Sequence, residues 1–471
     1  MYRGKWAQRG KNQPPRRLPP SSAALVTAQG VRQDGPVRTT EVDFLAEILA
    51  APDDDAPRLV LADWFEDHDD DRGEFIRLQC ERAHLPQHDD RWWQLWDREQ
   101  QLLAQHGRSW SRQWRRPRFL GRRVDCYDDC SGTPLSPGTR VYRRGLPEVA
   151  SARNVLGMRR GLEAPERRLV REILLYSYDS RLLPGLLLEG LVGLSGLAVP
   201  GSQLGADFVA PLAQCPAAEG LRRLGLERNL LQRTSLELLC ESPYLRSLQS
   251  LNLSWNRLSP RDPLVLRQWS SLSNLRELWL SGNAMDRAGS ELLADPALAG
   301  LHLLDVGECP GDAPLLEMLL DNSTMRQLTH LSLEGARLDP LAARRLFAEE
   351  RLNTMRVLNL SQCALTDDDL QHMAHSPMML RVRDLALGAG WRRSATFSRA
   401  GLRALAEASS LSELRVLTLS RVEIDRDTAQ MLVSSESLPR LTDLRLENCQ
   451  VDDAAQQCLR QRLRVSIATR H

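Results

Sequence analysis

The chain has 471 residues, 42% hydrophobic and 26% charged, enough for several domains or one long array and too apolar for wholesale disorder. Its 62 basic and 61 acidic residues leave a formal net charge of +1, so attraction to a polyanion through overall charge is not expected. Only Lys5 and Lys11 are lysines, an arginine bias that reads as genome composition before function. Nine cysteines are too few, and odd in number, for a disulfide scaffold and suit a reducing compartment. Arg16-Arg17 could open a twin-arginine signal, but the apolar stretch after it, Ser21–Ala28, is too short; a cytoplasmic location is expected.

Residues 1–39 read as a disordered, basic, Pro-rich tail, and residues 1–40 hold eight basic residues against Asp34 alone. Residues 41–80 reverse the sign, with thirteen acids against Arg58, Arg72 and Arg77. Within a helical domain over 40–110, Thr40 can cap a helix spanning 41–50 whose apolar face is Phe44, Leu45, Ile48 and Leu49. A second helix begins around Pro57 and buries Val60, Leu61, Trp64 and Phe65; a third starts near Arg72 and carries Phe75, Ile76 and Leu78. Asp67-x-Asp69-x-Asp71 opens like a calcium loop, but Arg72 stands at position six and Leu78 where a bidentate Glu is required. These acids are better placed to offset helix dipoles and pair with Arg58, Arg72 or Arg77. The run Ala51-Pro52-Asp53-Asp54-Asp55-Ala56-Pro57-Arg58-Leu59-Val60-Leu61-Ala62-Asp63-Trp64-Phe65-Glu66, followed by Arg72-Gly73-Glu74-Phe75-Ile76-Arg77-Leu78-Gln79, resembles the bacterial repeat-companion domain, a module found ahead of leucine-rich repeats. Phe65 departs from the more usual Leu, and the resemblance extends loosely through Arg98–Trp110 and Arg143-Arg144-Gly145-Leu146-Pro147-Glu148. It implies no activity.

Residues 111–190 read as a connecting segment and N-terminal cap. Trp92, Trp93, Trp96, Trp110 and Trp114 alternate with arginines as on a nucleic-acid surface. Leu95, Leu102 and Leu103 share helical spacing with them, so a packed helix with Arg on its wet side is the simpler reading. Cys126-x3-Cys130 has metal-like spacing but no second Cys/His pair. Leu182–Val199 is long enough to span a membrane, yet Pro184 and four glycines interrupt it and it runs in phase into the repeats.

From 191 to 471 the template L-x-x-L-x-L-x-x-N/C-x-L recurs. It is complete at Leu221-Leu224-Leu226-Asn229-Leu231 and Leu248-Leu251-Leu253-Asn256-Leu258, and recurs further on at Met355-Leu358-Leu360-Cys363-Leu365, for example. Ten starts, from Leu194 to Leu441, are spaced 27, 27, 27, 26, 27, 27, 27, 32 and 27 residues. The pattern resembles the leucine-rich repeat family in its longer, ribonuclease-inhibitor-like form of strand plus helix. The expected fold is α/β: a solenoid with a curved parallel sheet inside and helices outside, preceded by a small helical domain. Cys309, Cys363 and Cys449 fall at the N/C position and read as buried turn residues rather than catalytic thiols.

Strand alternation sends the residues between template leucines to the concave surface. Most are small or polar; Trp279 is the exception, with Trp255 just past the preceding strand. Trp279, Trp255, Asn252, Glu277, Asp305 and His330 are therefore candidate partner-binding residues, the bland alternative being two tryptophans stacked on each other or on a loop. The 32-residue spacing places an insertion near Gly388–Phe397, whose Trp391, Arg392 and Arg393 have hot-spot composition. No phosphate-binding loop, Gly-x-Ser-x-Gly, His-Glu-x-x-His or paired CxxC is present, and His372 and His375 lack a third ligand. The expectation is a monomeric, non-enzymatic scaffold that docks a protein partner on its concave face. It would need no cofactor, metal, small-molecule substrate, nucleic acid or membrane. The alternative is a regulator of a partner enzyme, such as an inhibitor or GTPase activator.

Overall fold

The computed structural model describes residues 41–85, 89–113, 142–146, 148–152, 169–175, 190–309, 315–322, 325–336, 338, 340–389 and 395–468. Thr40, Trp114, the Cys126/Cys130 pair and Trp391–Arg393 lie outside them.

Four helices come first: α1 (Glu41–Ala50), α2 (Ala56–Glu66), α3 (Arg72–Ala83) and α4 (Asp90–Gln113). Pro57 sits in the first turn of α2, where its missing N–H is no loss. Ile48, Leu61, Phe65 and Ile76 close a small core with Leu146. Arg72 and Arg77 pair locally, with Asp70 and with Asp63 and Glu66. Arg58 does not. It is buried, donates to the Pro52 and Asp54 carbonyls, and forms a 2.6 Å ion pair with buried Glu148. The acidic segment and the Arg143–Glu148 stretch, 90 residues apart in sequence, are thus locked together in space.

Among the described residues a 13-stranded parallel sheet follows. Its strands are β1 (Val149–Ala152), β2 (Glu172–Leu175), β3 (Gly196–Ala198), β4 (Arg223–Gly225), β5 (Ser250–Asn252), β6 (Glu277–Trp279), β7 (Leu303–Asp305), β8 (His330–Ser332), β9 (Val357–Asn359), β10 (Asp384–Gly388) and β11 (Val416–Ser420). After the short β12 (Glu423–Ile424) come β13 (Asp443–Glu447), the short β14 (Gln450–Val451) and β15 (Arg464–Ala468); β12 and β14 pair separately. Among the described residues the sheet already includes two strands, β1 and β2, before the boundary expected at 191. Those strands, Val-Ala-Ser-Ala and Glu-Ile-Leu-Leu, pair in register with the repeats without carrying the full template.

Register explains the repeat. Leu224, Leu251, Leu278, Leu304, Leu331 and Leu358 are mutually aligned partners, each 1% exposed or less, forming one column through a shared core. Asn256 Nδ2 donates to the Leu226 and Leu253 carbonyls, and its Oδ1 accepts from Leu231 N. Asn283 repeats the arrangement one turn on. At the equivalent position the Cys363 thiol donates to Leu333 O at 3.0 Å and Cys449 to Leu419 O at 3.1 Å. Burial pushes the Cys363 thiol up to about 12, so it stays a neutral donor.

The outer layer holds helices such as Arg233–Glu241 and Asp367–Ala374, the latter opened by a Thr366–Asp369 capping box. After β5 and β6 it narrows to 3₁₀ turns at Asp262–Gln268 and Glu291–Ala294. Gly289 explains the tight approach there: a Cβ would lie 2.0 Å from Pro260 O.

Candidate protein-docking face

The expected solvated concave surface is only partly open. Helix α4 lies against the end of this face where the strands begin. Asp90, Trp93 and Asp97 follow i, i+3, i+7 spacing and so share one side of the helix. Asp90 pairs with Arg356 at 2.6 Å and Arg381 at 3.3 Å; Asp97 pairs with Arg383 at 3.2 Å and Arg415 at 2.7 Å. Between them Trp93 stacks on His330, with ring centroids 6.0 Å apart and planes at 25°, while the Arg383 guanidinium sits 5.1 Å from the Trp93 ring. Trp92 and Trp93 are 4% and 2% exposed, so the packed-helix reading holds for them, but the surface that buries them includes the solenoid itself.

This contact takes His330 out of the solvent-facing set. It is 4% exposed; its Nδ1 meets Thr329 Oγ1 at 2.9 Å, and Nε2 is buried without a hydrogen-bond partner among the described residues. Burial, with the nearby His302 and Arg356 charges, drives its pKa down to about 3, so the ring is neutral. Burial likewise lowers Arg356 to about 10 despite Asp90. Glu277 is also buried, 3.8 Å from Arg223.

The remaining candidates lie along the middle of the face and the loops past the strand ends. Trp279, Asn252 and Asp305 are half-buried in adjacent strands, Asn252 and Asp305 each being the direct register partner of Trp279. Trp255 is 43% exposed and does not stack on Trp279. It covers Gly282, where a Cβ would fall 2.5 Å from the indole, and the Arg228 guanidinium lies 5.3 Å from its ring centroid. A positive φ of 57° at Trp255 turns the side chain out of the strand line.

Carboxylates flank these tryptophans. Glu227 accepts from Asn252 Nδ2 at 2.6 Å; Glu334 accepts from Gln362 at 2.6 Å and Asn359 at 3.1 Å. Gly307 N donates to Asp305 at 3.0 Å. Burial raises the pKa of Glu227, Asp305 and Glu334, and for Glu334 and Asp305 the Glu308 charge adds to it. None of the three has an ion-pair partner at salt-bridge distance among the described residues. Each is held by neutral hydrogen-bond donors.

Sequence reading missed Asp90, Asp97, Arg356, Arg383 and Arg415. The signal was present: an arginine immediately before three successive strands, and two aspartates seven apart on a helix. Pairing the two sets requires knowing that the helix returns across the face, 266 to 318 residues away in sequence. Among the described residues no His/Cys/Asp/Glu cluster could hold a metal, and no helix is long and apolar enough to cross a membrane.

The sequence matches the Leucine Rich repeat family over residues 244–261 and 351–374. No curated protein matches it. Among solved structures, it resembles a chain in the crystal structure of the Rad7 and Elc1 complex in yeast, with 15% identity and a TM-score of 0.50. The match covers 91% of this chain and 98% of that one. With 192 solved chains matching, the likeness identifies an architecture rather than an activity.

Proposed function

We propose that this chain, a leucine-rich-repeat solenoid preceded by a helical region, is a non-enzymatic scaffold that docks a protein partner on the open part of its concave face. One observation carries the reading. Where α4 leaves the face uncovered, Trp279 stands in a half-buried row with Asn252 and Asp305, flanked by Glu227 and Glu334, carboxylates with no cationic partner at salt-bridge distance. Aromatic area beside desolvated acids suits a partner segment that presents an apolar side chain next to Arg or Lys. His330 and Glu277 drop out of the proposed contact set because the protein's own residues cover them. Trp391, Arg392 and Arg393 stay in it on composition alone. The resembling solved chain comes from a two-protein complex, which accords with a scaffold, but the reading rests on this chain's own surface.

The test is affinity capture from source-cell lysate with the intact chain, Trp279→Ala, and Trp279→Ala/Trp391→Ala. A partner held by the intact chain and lost by Trp279→Ala, with far-UV circular dichroism unchanged, supports the reading. Equal capture by all three sinks it. The double variant then reports whether the insertion contributes.

A further inference from the structure

A second feature lies beside the start of α4, toward the β2 end of the sheet. Where α3, the start of α4, Tyr142, Arg143, Arg144 and Glu148 meet the beginnings of β2 to β5, they line a cavity of about 270 Å³. Six arginines line it: Arg82, Arg143, Arg144, Arg171, Arg222 and Arg223. The wall contains two carboxylates, and both are engaged. Glu148 is bound by Arg58 at 2.6 Å, and Glu172 takes Arg143 through both oxygens at 3.2 Å, with Arg223 at 3.7 Å.

The remaining acids hold the guanidiniums in place from behind. Asp53 pairs with Arg171 at 2.7 Å, Asp55 with Arg144 at 3.0 Å and Glu99 with Arg82 at 3.0 Å, while Trp92 stacks 4.6 Å from the Arg82 guanidinium. Each guanidinium has five N–H donors in a fixed fork, and one carboxylate engages at most part of that set. Arg222 has no hydrogen bond or ion pair from its side chain among the described residues, although its charge helps lower the Asp53 pKa. The cavity therefore presents several oriented guanidiniums and, in Arg222, one cation without a side-chain partner among the described residues, and each carboxylate of the described lining already has an arginine partner.

We infer that this cavity binds a small phosphate-bearing anion, its phosphoryl oxygens received by the Arg222, Arg223, Arg143 and Arg171 guanidiniums. A monocarboxylate would satisfy one fork, whereas a phosphoryl group presents three terminal oxygens to several at once. The volume exceeds by far the roughly 30 Å³ share of one water and falls just under the ~300 Å³ lower bound of small-molecule pockets. That suits a phosphate monoester or free phosphate. Because the walls come from both the helices and the sheet, an occupant braces one against the other.

The test uses the full chain at pH 7 with two probes, AMP and inorganic phosphate, titrated calorimetrically and followed by thermal unfolding. One-to-one saturable binding that raises the unfolding midpoint supports the site. AMP binding tighter than phosphate identifies an ester as the source, and equal affinities identify free phosphate. Arg222→Gln should weaken the tighter probe at least tenfold and abolish the midpoint shift while leaving the unliganded midpoint unchanged. Arg261→Gln, an exposed outer-surface control, should bind as the parent does. Lack of saturable binding by either probe overturns the inference, as does equal binding by Arg222→Gln. So does a phosphoserine peptide binding where both probes fail. None of these results bears on capture by Trp279.

Discussion

Two residues show how much depends on a single side chain. Gly145 has φ +84°, and a Cβ there would lie 2.2 Å from Ile76 Cγ1 and 2.7 Å from Ile76 Cα, in the seam between α3 and the segment entering the sheet. Its amide also donates to Gln79 Oε1 at 2.7 Å. Gly145→Ala is therefore expected to cost roughly 2–4 kcal/mol, combining strain at positive φ with overpacking. Urea unfolding should show that loss in the helical region; an unchanged midpoint would contradict it. His330 sets a pH dependence. Its folded pKa of about 3 lies below its ordinary 6.5, so between those values the unfolded chain takes up a proton that the folded chain refuses. Its burial adds no pH-dependent cost above pH 6.5, and stability drains away as pH falls from there toward 3. Lowering pH from 7.5 to 5.0 should cost the parent about 2 kcal/mol more than His330→Leu in paired urea titrations, and equal losses would refute the neutral, buried histidine.

At the scale of elements, α4 is held to the solenoid by two aspartates spanning four arginines. Asp97 is 16% exposed, and Arg383, whose pKa burial already lowers, depends on it. Asp97→Ala leaves Arg383 and Arg415 without that carboxylate, a loss worth about 3–5 kcal/mol for a fully buried pair and less at this exposure. The helix should loosen from the face, seen as faster tryptic cleavage after Arg91 and Arg98; unchanged cleavage would mean that Trp93 stacking alone holds it. The repeat elements were legible from sequence because period and register coincide: Leu224, Leu251 and Leu278 sit at the same template position and in the same column. The strands β1 and β2 were not, because backbone pairing at the end of the sheet does not require the full template. Val149–Ala152 and Glu172–Leu175 pair in parallel without the Asn or Cys position, and Glu172–Leu175 buries alternate residues. Arg58 illustrates the same limit. Its local acids suggested a surface pair, whereas its partner, Glu148, arrives from 90 residues away.

For the whole molecule, the solenoid and its helical region form one interlocked body. Ion pairs at Arg171 near its start and Arg383 and Arg415 near its end fix helices across the strand-start side of the concave face. What stays open is the row through Trp279, with Trp255 beside it. Sequence alternation placed Trp279, Asn252 and Asp305 on this face because strand geometry is local. It could not tell open from covered, and so grouped His330 with them.

The most direct measurement is hydrogen–deuterium exchange of the intact chain alone and with its captured partner. New protection should appear at β5 to β9 and the turns after them, including Trp255 and Glu334, with Asp90–Gln113 unchanged. Protection confined to α4 or to outer helices such as Arg233–Glu241 would contradict docking on the concave face.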